Sequence, residues 1–306
     1  MLIGLCLDLF VGWPDWLYRR IGHPVSWIGQ LIDLFDRRWN RGPRRNRIAM
    51  GAAVTAIVSL AAALPALALE LALPSSPWGM VLAGIVAWPW LAARSLHDHV
   101  TAVALPLSDG QLNRARVAVA HIVGRDPTAL DGPAIARAAA ESLAENTSDG
   151  VIAPLFWGAV AGLPGLVAYK AINTLDSMIG HRSEAYEAFG KAAARLDDLV
   201  NWLPARLTAL LIALASGPKA GAALKTMGAD ARHHRSPNAG WPEAAMAGAL
   251  GIRLSGPRVY GDMISQEPWI NGASPDPGPL TLADCLALYR RTVGLTALAL
   301  FALAFL

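Results

Sequence analysis

Four stretches concentrate the side chains able to do chemistry. In "ESLAENTSDG", residues 141–150, Glu141, Glu145 and Asp149 recur every four residues, so a regular helix would stack them on one face. Like charges at that spacing repel and cost helix stability, so solvent, arginines or a divalent cation must compensate. The next stretch, "YKAINTLDSMIGHR", carries Lys170, Asn173, Asp176, His181 and Arg182. Asn146 with Asp149, and Asn173 with Asp176, repeat the same two side-chain types at the same spacing. Hard oxygen donors of this kind suit Mg2+, which keeps several waters and bridges substrate phosphates. The plainer structural account is a solvated acidic helix end followed by N-capping turns.

The third stretch, "ARLDDLVNWLPARLT", places Arg195, Asp197, Asp198, Asn201 and Arg206 close together. Adjacent carboxylates point to different faces of a helix, so one of Asp197 and Asp198 is expected to serve a site while the other pairs with an arginine. The fourth, "GADARHHRSPNAGWPEAA", holds Asp230, Arg232, His233, His234, Arg235 and Asn238. Neighbouring histidines cannot share one metal on a regular helix, and the pair His97 and His99 has no partner cysteine. Zinc is therefore not expected, and these histidines read as hydrogen-bonding groups. The sequence contains no P-loop, no dinucleotide fingerprint, no GxSxG elbow and no HExxH.

The elements that carry these stretches are those of a membrane protein. Hydrophobic residues make up 54% of the 306 and charged residues 16%, well below the charged share of about 25% in a soluble domain. Ile48–Leu69 and Leu71–Ala93 are charge-free over 22 and 23 residues, each about the length that spans a 30 Å hydrocarbon core. "PSSP" at 74–77 makes the turn between them. The cluster Arg37, Arg38, Arg41, Arg44, Arg45 and Arg47 precedes the first run and accounts for much of the net charge of +3. Beside a span it reads as a topogenic anchor on the cytoplasmic side, not as a nucleic-acid surface. Residues 1–13 lack the basic region and cleavage site of a signal peptide, and Asp8 interrupts them, so the N-terminus is expected to stay. Cys6 and Cys285 form neither a disulfide framework nor a CxxC.

Val151–Tyr169 is charge-free over 19 residues but contains Pro154, Gly158, Gly162, Pro164 and Gly165. A broken helix at membrane depth is tolerated only when packed in protein or lining a cavity, and ionisable groups beside it are usually functional. The fold expected is all-α and polytopic, with four to five spans, broken or re-entrant helices and cytoplasmic helical segments. One membrane-embedded domain covers 1–306: a hairpin at 48–93, a cytoplasmic helical segment at 97–149, broken membrane helices at 150–218, a second cytoplasmic segment at 219–290 and a short last span at 292–306. Whether 150–218 crosses or re-enters stays open at this point.

Taken together, "GHPVSWIGQLI", "AESLAENTSDGVIAPLFW", "YKAINTLDSMIGHR", "FGKAAARLDDLVNWLPARLT" and "DARHHRSPNAGWPEAAMAGAL" closely resemble the CobD/CbiB family of cobalamin biosynthesis. The matching blocks run in order from about His23 to Tyr260; Ser255 stands where the family's turn carries glycine, and Ser26 where some members carry arginine. The resemblance implies a multi-pass enzyme of the cell (inner) membrane. It would use ATP and Mg2+ to join adenosylcobyric acid to (R)-1-aminopropan-2-ol or its O-phosphate. Under that reading Glu145, Asp149 and Asp176 would hold Mg2+ on the ATP phosphates. Lys170, Arg182, Arg195 and Arg206, with Asp197, Asp198, Arg232 and Asn238, would bind the substrates and their phosphates. Asn146 and Asn173 would orient the reacting carboxylate, and His23 or His233 would accept the ammonium proton. The partners expected are the corrinoid, the amine and the lipid bilayer, with room for a homo-oligomer or for other membrane enzymes of the same biosynthesis, and no nucleic acid. A site using cytoplasmic ATP opens to the cytoplasm, which favours re-entry of 150–218. Two rival readings are a transporter built on broken helices and a non-catalytic member of a corrinoid-making complex.

Overall fold

The computed structural model describes residues 1–305 except Arg125, Arg182, Gly261 and Asp262, with the backbone alone at 258–260 and 263–265. Its helices are α1 (Leu2–Val11), α2 (Asp15–Ile21), α3 (Pro24–Trp39), α4 (Arg44–Ala72), α5 (Pro77–Ala87), α6 (Ala93–Ser108), α7 (Leu112–Val119), α8 (Gly132–Asn146), α9 (Ala153–Ile179), α10 (Lys191–Val200), α11 (Trp202–Ala215), α12 (Ala220–Asp230), α13 (Gly240–Leu250) and α14 (Thr281–Leu303). Two short antiparallel ribbons lie between α13 and α14. β1 (Leu254–Ser255) pairs with β4 (Trp269–Ile270), and β2 (Arg258–Tyr260) with β3 (Met263–Ser265).

The protein is all-α and polytopic. Among the described residues Arg44–Ala72, Pro77–Ser108, Gly132–Ile179 and Thr281–Leu303 are long and apolar enough to cross a membrane, and a fifth span results if α10 and α11 count as one broken helix. The side-chain pattern of α4 shows why. Val54, Val58 and Ala66 are buried, while Ile57, Leu60, Leu64, Leu67 and Leu71 form an exposed apolar stripe at helical spacing. Such a stripe is a liability in water and the expected surface against lipid.

The chain forms two compact units, Met1–Ala92 with Ala153–Asn201, and Ala93–Ile152 with Trp202–Leu306. In the first, Ile28 and Ile32 of α3, Val54 and Val58 of α4, Ala171, Leu175 and Ile179 of α9, and Phe189 and Ala193 make one core. Lipid tails are as apolar as these side chains, so close packing rather than escape from water holds the spans together. Helix α9 is broken at Ala161–Gly162, where Gly162 takes φ 64°, a region that glycine enters without steric cost. Glu70, at the end of α4, accepts a hydrogen bond from the Leu163 backbone at 2.6 Å, which satisfies an orphan donor where the helix restarts.

Contacts at the two ends of α4 set the direction of α9. Glu70 meets Leu163 at one end. At the other, Arg44 makes a two-point pair with Glu187 at 2.7 and 3.1 Å, and Arg47 donates to the carbonyls of Glu184 and Ala185. Residues 163–179 therefore run back toward the arginine-rich end of α4, and the segment 183–187 lies at that end.

In the second unit α13 is buried along nearly its whole length and packs against α11 and α12. Tyr289 of α14 donates to the Ala93 carbonyl at 2.7 Å, fixing the start of α6. Asp276 accepts from Arg137 at 2.6 Å and from Arg253 at 2.5 and 2.9 Å, tying α8 to the ribbon segment. Both guanidiniums also lie over the Trp269 ring.

Candidate active site

In the first unit the polar residues of α9 and α10 form one cluster. Lys170, Asn173 and Asp176 are half-buried on α9, with the Lys170 ammonium 3.4 Å from Asn173 Oδ1. Asp176 lies over Gly180, where a Cβ would sit 1.9 Å from Oδ1, so only glycine leaves the carboxylate its place. Opposite, Tyr169 donates to Asn201 Oδ1 at 2.8 Å and Asn201 donates to Asp197 Oδ2 at 3.0 Å. Asp197 is buried, and its Oδ1 has no hydrogen-bond partner. The adjacent aspartates divide as a helix requires, Asp197 inward and Asp198 outward. Both lie close enough to Asp176 for like-charge repulsion. Arg195 is exposed, and Arg182 lies outside the described residues.

His23, near Lys170, caps α3. Its Nδ1 accepts from the Val25 backbone at 3.3 Å, and Trp13 packs edge-on with ring centroids 5.0 Å apart. Burial, and then the Lys170 charge, push the imidazole below its ordinary pKa, so it is neutral at pH 7. With Nδ1 accepting, the proton of the neutral ring resides on Nε2, which is then a donor.

In the second unit the acidic stretch departs from the regular helix expected of it. Helix α8 ends at Asn146 and continues as a π-helical turn, Thr147–Ile152. The wider turn takes Asp149 off the i, i+4, i+8 line, and single π turns frequently accompany functional sites. Glu141 is buried and accepts from the Ser255 backbone at 2.7 Å. Glu145 and Asn146 are exposed, Asp149 is half-buried, and the Asn146 amide donates to the Ser142 carbonyl at 2.9 Å. Among the described residues no three His, Cys, Asp or Glu side chains could hold a metal ion. Of the expected set Glu145, Asp149 and Asp176, the last lies in the first unit and the other two in the second.

A cationic cluster forms around Arg206 of α11. Its guanidinium lies over Trp202 and Trp241, 4.4 and 4.7 Å from the ring centroids. It donates through Nη1 to the Trp202 carbonyl at 2.5 Å and to Asn238 Oδ1 at 3.3 Å. Arg232, exposed on the 3-10 turn Ala231–His233, is near enough to repel it. Of the neighbouring histidines, His233 is exposed, while His234 turns inward and brings Nε2 to 3.7 Å from the buried Glu243.

The order and types of these residues match one family. The model of the CobD/CbiB protein family covers residues 1–289. The chain belongs to the CobD/CbiB family. The cobalamin biosynthesis protein CobD of Rhodobacter capsulatus is 60% identical over 293 residues, 96% of this chain and 93% of that protein. CobD of Sinorhizobium fredii is 50% identical, covering 89% of this chain and 86% of its own length, and that of Brucella anthropi is 47% identical over 89% and 85%. No solved structure matches the chain.

Within this CobD/CbiB chain, residue types alone did not single out Glu70, Tyr169, Trp241 or Glu243. Glu70 left the clearest signal, as the lone charge between two long apolar runs. The inward turn of His234 left none, because a 3-10 turn has no sequence period that separates it from His233.

Proposed function

We propose that the chain is an ATP-dependent amide ligase of cobalamin biosynthesis. It would join the carboxylate of adenosylcobyric acid to (R)-1-aminopropan-2-ol or its O-phosphate, giving adenosylcobinamide or its phosphate. The observation that carries this reading is the family match over residues 1–289, together with relatives of near-equal length named for cobalamin biosynthesis.

A carboxylate and an amine do not condense in water without activation. A carboxylate oxygen of the acid attacks the γ-phosphorus of ATP, the bond to the leaving ADP breaks, and an acyl phosphate forms. The deprotonated amine then attacks the acyl carbon, the carbon–oxygen bond breaks, and inorganic phosphate leaves. Mg2+ on the nucleotide would neutralise phosphate charge. An ion bound this way needs only one or two protein carboxylates, which Asp176 and Asp197 in the first unit can offer, Asp197 with an oxygen that lacks a partner. Lys170 and Arg195 there are further cations for phosphate oxygens, and Asn173 is a neutral donor for a reacting carboxylate. In the second unit Arg206, Arg232 and Asn238 would bind an anion, and Glu145 and Asn146 precede the π turn that contains Asp149. The tautomer of His23 leaves His233 as the proton acceptor of the two candidates.

By the positive-inside rule the arginine-rich end of α4 faces the cytoplasm of a bacterial inner membrane, and the segment 183–187 would lie on that side. The test is a reaction of detergent-solubilised protein with adenosylcobyric acid, Mg-ATP and each amine, followed by mass spectrometry. A product of acid plus amine less one water, with ADP and phosphate released in equal amounts, is the expected result. ATP-independent binding of the corrinoid with no product from either amine would overturn the ligase.

A further inference from the structure

Arg206 has one coordinating edge in use and one open. Both of its protein hydrogen bonds leave from Nη1, and no carboxylate pairs with it or with Arg232 among the described residues. Nε and Nη2 remain, and together they are the two parallel donors with which arginine grips a carboxylate or phosphate. The rest of the side chain is fixed: two indoles lie against the guanidinium, and Asn238, itself buried, is pinned through its backbone N–H to Ser236 Oγ at 3.2 Å. Two cations held close together without a counter-ion repel, and a multiply charged anion would relieve that repulsion.

We infer that the Nε/Nη2 edge of Arg206 receives a substrate phosphate, with Trp202, Trp241 and Asn238 as positioning residues that hold the edge in place and Arg232 as the second charge. This rests on the ligase reading for the identity of the substrate, and on the geometry of the cluster alone for the anion. A point charge would not replace it. Lysine at 206 keeps the cation but has neither the fork nor the flat face that the indoles hold.

The experiment titrates pyrophosphate and inorganic phosphate against the melting temperature of the purified full chain in detergent, at constant ionic strength. The wild type is expected to be stabilised. Arg206→Lys should raise the half-saturating concentration by about tenfold or more, the loss expected for one bidentate pair. Trp241→Leu should weaken the response, and Trp241→Phe, which keeps an aromatic face, should restore most of it. Melting without anion reports whether each variant folds. No stabilisation of the wild type, an Arg206→Lys response equal to wild type, or a Trp241→Leu response equal to wild type would each overturn the inference. In the amide-forming assay, a rise for Arg206→Lys in the KM for ATP or in that for the amine phosphate identifies the source of the phosphate, and a rise in neither overturns the assignment. If no amide forms but the pyrophosphate response and its Arg206 dependence persist, the ligase reading fails and the anion site stands.

Discussion

The carboxylate of Glu141 holds the backbone of Ser255 at 2.7 Å, and Ser255 adopts a φ of 59°. The left-handed region costs an ordinary residue about 1–2 kcal/mol, and a charged hydrogen bond contributes a comparable amount. The Ser255 hydroxyl is also buried without a partner. Ser255→Gly should therefore raise stability by about 1 kcal/mol, and Glu141→Ala should lower it by about 1–3 kcal/mol. Thermal unfolding of both variants in detergent checks the pair, and a destabilised Ser255→Gly would contradict the strain.

The break in α9 depends on Glu70. Glu70→Leu leaves the Leu163 N–H without its acceptor and should cost about 1–3 kcal/mol, whereas Glu70→Gln keeps an acceptor oxygen and should cost less. Hydrogen exchange of the Leu163 amide is the direct measure, and it should speed up in the leucine variant alone.

Acid should weaken the Arg137–Asp276–Arg253 cluster. The Arg253 hydrogen bond, with help from Arg137, holds the Asp276 carboxyl below its ordinary pKa. A depressed folded pKa contributes stability that is present above the unfolded value of about 3.9 and is lost as pH falls through the folded one. The stability gap between wild type and Asp276→Asn should close below about pH 4. A gap that stays constant between pH 3 and pH 5 would count against it.

For His23 the same sign applies to a base. Its folded pKa lies below the ordinary value of about 6.5, so the folded state binds its proton less readily and stability falls as pH drops from there toward the folded value. His23→Asn keeps a capping acceptor and should remove this acid sensitivity while retaining most amide-forming activity. A loss of about a hundredfold or more, the scale of general base catalysis, would restore His23 as the proton acceptor.

The proposed sidedness rests on Arg44 and Arg47 at one end of α4. A cysteine at position 183, in a Cys6→Ser background, should resist an impermeant thiol reagent added outside intact cells and react in inverted vesicles. Labelling from outside would overturn the cytoplasmic placement of the segment.

Membrane class, helical fold and family are all readable from composition and residue order. Charge-free runs such as Ile48–Leu69 have no stable place in water, and the pairing of Gly162 with nearby prolines marks a helix that must break. The candidate chemistry was visible only as residue types. Which of Asp197 and Asp198 turns inward depends on α10 packing against α9, and which of His233 and His234 does depends on a 3-10 turn. The periodic reading of Glu141, Glu145 and Asp149 failed for a local reason: a π turn puts more residues into the helical turn without leaving a mark in residue type. Partners distant along the chain, such as Glu70 with Leu163 or Arg206 with Trp241, follow no sequence period. They exist because packed helices leave each polar group a few neighbours, and a buried donor or charge settles on the one that satisfies it.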